Sequence, residues 1–121
     1  MRYNFQLTLL FISASILHGV EITYPVAFQV VQRGEGNLAN IKITGKATGN
    51  VEARVLNDGG LVMQGLDWKS LGAARAGLFS GEISKVPTGG PYIIEVRSAG
   101  QTAAVKNLLV GDLWVDRKSV V

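Results

Sequence analysis

Residues 39–44 read ANIKIT, so that apolar side chains occupy every second position. A period of two is typical of a β-strand with one buried face and one face in water. The same alternation recurs in three further runs, VEARV at 51–55, FSGEI at 79–83 and YIIEVR at 92–97. Because this period dominates the chain, the sequence predicts an all-β domain rather than a helical one.

Turn-forming residues separate these runs at regular intervals. Such stretches lie at 34–37, 45–50, 57–60, 87–91 and 98–100. Within the third, Asp58-Gly59 supplies the residues that a tight turn favours. Short strands spaced in this way predict an antiparallel β-sandwich of six to seven strands, immunoglobulin-like or jelly-roll-like.

Two stretches depart from the simple alternation. The run at 26–31 is almost uniformly apolar, and we expect a strand that is buried on both faces there. The small residues at 72–78 are compatible with a helical turn or with a loop. The alternation does not decide between these two alternatives.

The first 19 residues predict a secretory signal peptide. Arg2 is the single cation, 7–17 is an apolar run without charge, and Gly19 is a small residue at a plausible cleavage position. The run is shorter than the ~20 residues that cross a bilayer as a helix. We therefore expect a secreted or periplasmic protein with no membrane attachment after cleavage; a buried N-terminal strand or helix is the alternative.

Composition narrows the possible partners. The chain has no cysteine, which excludes disulfides and thiolate metal sites. Between Val20 and Val115 nine basic and eight acidic residues are spread singly, whereas nucleic-acid-binding proteins cluster their cations. We expect neither a nucleic acid nor an anionic membrane as a partner.

The sequence offers few groups for catalysis. The single histidine, His18, falls in the predicted signal peptide, so a serine would have no imidazole base and zinc no common ligand. We therefore expect no catalytic residue, no metal and no cofactor. Trp68 has two interpretations, a core tryptophan, which is favoured, or an exposed platform that stacks on a carbohydrate. Tyr92 is in phase with the apolar positions of its run and is expected in the core.

Two stretches near the end carry a family resemblance. They read GGPYIIEV at 89–96 and VKNLLVGDLWV at 105–115, and YPVAFQVVQR at 24–33 fits the opening strand of the same domain. Together they resemble the sialate O-acetylesterase family of SGNH-type carbohydrate esterases, over residues 24–115. In that family a β-rich domain leads into a Gly-Gln-Ser-Asn block that holds the nucleophilic serine.

The chain departs from the family after Val115, where it continues as DRKSVV. Ser119 is not surrounded by glycine, glutamine and asparagine, so it does not match the nucleophile. A common sequencing-library adapter encodes the same six residues, and we interpret 116–121 as a non-native tail produced by adapter read-through. A natural short C-terminus is the alternative.

The resemblance implies that residues 20–115 form an accessory β-sandwich, the non-catalytic N-terminal part of a secreted carbohydrate O-acetylesterase. Its partner would be its own C-terminal SGNH hydrolase domain, and acetylated glycan would be a ligand of the parent enzyme. We expect an interdomain contact at Leu109, Leu113 and Trp114, together with Leu108 and Val110. The alternative is a free-standing secreted β-sandwich that binds a glycan or a protein.

Overall fold

The structure, a computed structural model, describes residues 19–112. Residues 1–18 of the predicted signal peptide lie outside this range. So do Leu113, Trp114 and the predicted tail at 116–121. The described chain forms eight strands and one short 3-10 turn, Glu35–Asn37. The strands are β1 Glu21–Tyr24, β2 Val30–Gln32, β3 Leu38–Lys46, β4 Asn50–Leu56, β5 Lys69–Ala73, β6 Leu78–Pro87, β7 Gly89–Ser98 and β8 Gln101–Gly111.

The strands form two sheets with the orders β1-β3-β6 and β2-β8-β7-β4-β5. All pairings are antiparallel except β2 with β8, which run parallel. This order is that of an immunoglobulin-type sandwich. The predicted all-β sandwich is confirmed, with two differences. Residues 19–112 contain eight strands rather than six or seven, because the short edge strands β1 and β5 show no clear alternation, and one edge pairing is parallel.

The core lies between the sheets and is built from the alternate positions that the sequence predicts. Ile41, Ile43, Val55, Ile94 and Val96 are at most 1% exposed. At the start of β7 the buried Tyr92 donates a hydrogen bond from its hydroxyl to the Pro87 carbonyl, 2.9 Å away. This connection is the tyrosine corner of immunoglobulin-type domains. The predicted core position of Tyr92 is confirmed.

A bulge in β8 decides which residues at its end face the core. Ile94 pairs with Val105 and Tyr92 with Leu108, so β8 advances by three residues while β7 advances by two. The inward positions therefore change from odd to even numbers. Leu108 and Val110 are buried in the core, and their predicted part in an interdomain contact is wrong. Leu109 points outward and is 43% exposed.

The apolar run at 26–31 is not a doubly buried strand. Only Val30 and Val31 belong to a strand, and this strand lies at the edge of its sheet. Residues 26–28 are exposed and belong to the connection that precedes it. An edge strand has one neighbour instead of two, so it does not bury a uniformly apolar segment.

The segment 72–78 forms a loop between β5 and β6 instead of a helical turn, with strand residues at both ends. The loop returns the chain from the five-stranded sheet to the three-stranded one. Across residues 19–112 there is no helix with the length and apolar content required to cross a membrane.

Candidate functional site

Trp68 lies on the outer face of the five-stranded sheet. The guanidinium carbons of Arg54 in β4 and Arg97 in β7 are 4.4 and 4.0 Å from the centre of its ring. Trp68 is half-buried and does not belong to the core cluster, whereas Leu66, two residues earlier, does. The core interpretation of Trp68 is therefore wrong. The two guanidinium groups are cationic, and they are attracted to the electron-rich face of the indole.

The two arginines are held by carboxylates from the neighbouring strand. Arg54 Nε is 2.7 Å from Glu95 Oε1, and Arg97 Nε is 2.8 Å from Glu52 Oε1. Asp67 adds a longer contact, with its Oδ1 3.7 Å from Arg54 Nη1. Both cations around the ring are thus paired with acidic groups.

This arrangement has a signal in the sequence. Strand β4 contains Glu52-Ala53-Arg54 and strand β7 contains Glu95-Val96-Arg97. Antiparallel pairing places Glu52 opposite Arg97 and Arg54 opposite Glu95. Two Glu-x-Arg triplets on neighbouring antiparallel strands therefore form two cross-strand ion pairs. Local alternation does not show that β4 pairs with β7, so the sequence alone does not predict these two ion pairs.

The carbohydrate contact predicted at Trp68 stays a prediction. A sugar that stacks on the ring face covered by a guanidinium would have to displace that arginine from its carboxylate. Carbohydrate stacking normally uses an open aromatic plane. The geometry around Trp68 is that of a cross-strand brace on the sheet.

Leu109 lies in β8 of the same sheet, next to the edge strand β2. It pairs with Val30 of β2, and a Cβ atom on Gly90 would lie 3.3 Å from its Cδ2 atom. Three residues later, Asp112 accepts from Arg33 and Gln32, with its Oδ1 3.0 Å from Arg33 Nε and 3.2 Å from Gln32 Nε2. The described chain therefore ends bound to the β2–β8 edge. The predicted interdomain contact at Leu109 is compatible with its exposure and stays a prediction.

No metal centre or catalytic pair is assembled in the described part of the chain. Across residues 19–112, no three histidine, cysteine, aspartate or glutamate side chains come together as a possible metal site. One surface depression, of about 630 Å³, is lined by Glu21, Lys46 and small or aliphatic neighbours. The residues that line it within the described part of the chain include no histidine.

Among solved structures, the chain is similar to a carbohydrate acetylesterase from Xanthomonas citri. The two share 25% sequence identity and superpose with a TM-score of 0.51 over 78% of this chain. The match covers 20% of the acetylesterase, so the chain spans about a fifth of that protein's length. No protein-family profile matches the chain, and no curated protein does. The sandwich is therefore similar to one part of a carbohydrate acetylesterase.

Proposed function

We propose that this chain is the non-catalytic N-terminal β-sandwich of a secreted carbohydrate O-acetylesterase of the sialate type, which precedes an SGNH hydrolase domain. The observation that carries this proposal is the similarity to a carbohydrate acetylesterase over 78% of the chain. The family motifs at 89–96 and 105–115 support it, since 89–96 lies in β7 and 105–111 lies in β8, two adjacent strands inside the five-stranded sheet.

In this proposal the chemistry belongs to the hydrolase domain. That domain would supply a serine nucleophile, a histidine base and donors to the developing oxyanion. Residues 19–112 contain no histidine, so this range supplies no imidazole base for its own hydroxyl groups. The β-sandwich would hold the hydrolase domain along one sheet edge and form part of the wall beside the sugar.

The test begins with the gene. We would recover the coding sequence beyond residue 115 from the source DNA, express the whole protein and measure acetate release from O-acetylated sialic acid and from acetylated plant polysaccharide. We expect a Gly-Gln-Ser-Asn block shortly after residue 115 and acetate release that is lost when its serine becomes alanine. The present chain alone should release none.

Two results would contradict the proposal. One is a stop codon directly after residue 121 in independent clones, and the other is a whole protein that releases no acetate from either substrate. In the first case the free-standing binding module becomes the function to test. Glycan binding that is lost in Trp68→Ala and kept in Leu78→Ala, a substitution at an exposed apolar position, would support that alternative.

A further inference from the structure

Four large apolar side chains are exposed to solvent around Gln29, the residue directly before β2. Tyr24 is 41% exposed, Val26 57%, Phe28 78% and Leu109 43%. They are four of the eight large apolar side chains that are exposed within residues 19–112. We name these four residues the Gln29 patch. Exposed apolar side chains that are gathered in one region mark sites that contact another protein.

Hydrogen bonds of Gln29 bring the patch together. Its Nε2 donates to the Tyr24 hydroxyl at 2.8 Å, and its Oε1 accepts from the Val26 backbone at 3.1 Å. Its backbone carbonyl accepts from the Leu109 amide at 3.0 Å, and its own amide donates to the Val26 carbonyl at 3.3 Å. Since Phe28 precedes Gln29 in the chain, all four patch residues are neighbours of one clamped residue. The patch is therefore preformed.

Phe28 is the unusual member of the patch. Its φ angle is +66°, in the left-handed region that bulky side chains disfavour. The backbone is thus held in an unfavourable conformation, while the side chain receives almost no packing in the described part of the molecule. Such strain persists where the surroundings enforce it, and it is concentrated at binding sites. Large aromatic residues are also frequent anchors of protein interfaces.

The charge around the patch indicates what kind of partner fits. Residues 22–32 contain no charged side chain, so the surface suits an apolar protein face rather than an ionic ligand. Leu109 belongs to the patch, and Asp112, three residues later, is bound to Arg33 and Gln32 on the same sheet edge. Three extended residues span about 10 Å. A domain joined just after this point would therefore be tethered beside the patch at a high effective concentration.

We propose that the Gln29 patch is a preformed docking surface for the hydrolase domain that follows in the parent polypeptide, with Phe28 as the anchor. This inference rests on the proposed function. It is supported by the similar acetylesterase, in which four fifths of the chain lies outside the matched part, since the match covers 20% of it.

The experiment uses the whole parent protein with a protease site inserted after residue 115. After cleavage, calorimetric titration of the separated parts measures their affinity for each other. We expect Phe28→Ser to weaken the association at least about tenfold, as for an anchor residue. Leu61→Ser is the matched control, since Leu61 is 68% exposed and lies in the β4–β5 connection. It should change the affinity less than about twofold. Equal affinities of wild type and Phe28→Ser would overturn the inference.

A second variant separates docking from folding. Phe28→Gly removes the anchor and places a residue at this φ angle that adopts it without steric cost. We expect its thermal midpoint to stay the same or to rise, while the association weakens as in Phe28→Ser. A lowered midpoint together with unchanged association would show that Phe28 serves the fold of this domain alone, and would overturn the inference.

The remaining outcomes distinguish this inference from the proposed function. If the parent releases acetate but its docking does not depend on Phe28, only the docking surface is refuted. If no hydrolase domain follows residue 115, both proposals fail together. If the separated β-sandwich dimerises through Phe28 while its association with the hydrolase part is unaffected, the patch binds a second copy, and the inference is overturned.

Discussion

At the scale of single residues, Tyr92 joins the two sheets at the tyrosine corner. Its ring is buried and its hydroxyl donates to the Pro87 carbonyl. We expect Tyr92→Phe to lower the free energy of unfolding by about 0.5–1.5 kcal/mol, because the carbonyl loses its partner. Urea unfolding at neutral pH measures this change. Tyr24→Phe is the control: it removes a hydroxyl whose hydrogen bond to Gln29 is exposed and replaceable by water, so it should cost less than about 0.5 kcal/mol. Equal losses in both variants would contradict the assignment.

Tyr92 also predicts a loss of stability in alkali. Burial raises the pKa of its hydroxyl above the ordinary 10.0. Above pH 10 the unfolded chain therefore releases this proton while the folded protein retains it, so the stability contribution present at lower pH is lost as pH rises. We expect the free energy of unfolding to fall from about pH 10 upward in wild type and to fall less steeply in Tyr92→Phe. Identical pH profiles would refute the prediction.

Gly45 in β3 lies where the Glu21 carbonyl and the Phe79 ring come close to its backbone. A Cβ atom there would collide with the Glu21 backbone carbonyl and lie 2.7 Å from the Phe79 ring. We expect Gly45→Ala to cost about 1–3 kcal/mol, because a strand and an aromatic ring both have to move. Gly111→Ala is the control, since its Cβ would meet nothing within 4 Å. Chemical denaturation of the two variants gives the comparison, and similar midpoints would contradict it.

At the scale of elements, Trp68 braces β4 against β7 through Arg54 and Arg97. Each contact of an arginine with an exposed aromatic ring contributes about 0.5–1 kcal/mol. We expect Trp68→Ala to destabilise the domain by about 1–2 kcal/mol. In a double-mutant cycle with Arg97→Ala, the effects of the two substitutions should be less than additive. Additive changes in the free energy of unfolding would show that the two side chains stabilise the fold independently. Leu78→Ala, at an exposed position, is the control.

At the scale of the whole molecule, the Gln29 patch predicts how the β-sandwich behaves when it is produced alone. With Tyr24, Val26, Phe28 and Leu109 uncovered, residues 20–115 should associate as their concentration rises. Sedimentation velocity over a concentration series measures this, and Phe28→Ser should shift the distribution toward monomer while Leu61→Ser should not. A monodisperse wild-type monomer at high concentration would contradict the prediction.

The similarity to one fifth of an acetylesterase belongs to the same scale. A β-sandwich of this size has its own core, yet it carries an apolar edge that its core does not use. Both facts agree with a domain that folds by itself and functions beside another. The proposed hydrolase domain would supply the covering surface and the reacting groups together.

The sequence by itself determined the strands β3, β4, β6 and β7 and the face that each buries, as at Ile41, Val55 and Ile94, because alternation along a strand is a local property of the backbone. It also determined the lack of a histidine or a cysteine after His18. Only the tertiary structure decided the positions of Trp68, Leu108 and Phe28. The side on which a residue lies depends on bulges, on strand order and on which strands are edges. These are set by contacts between distant segments, which local periodicity does not encode.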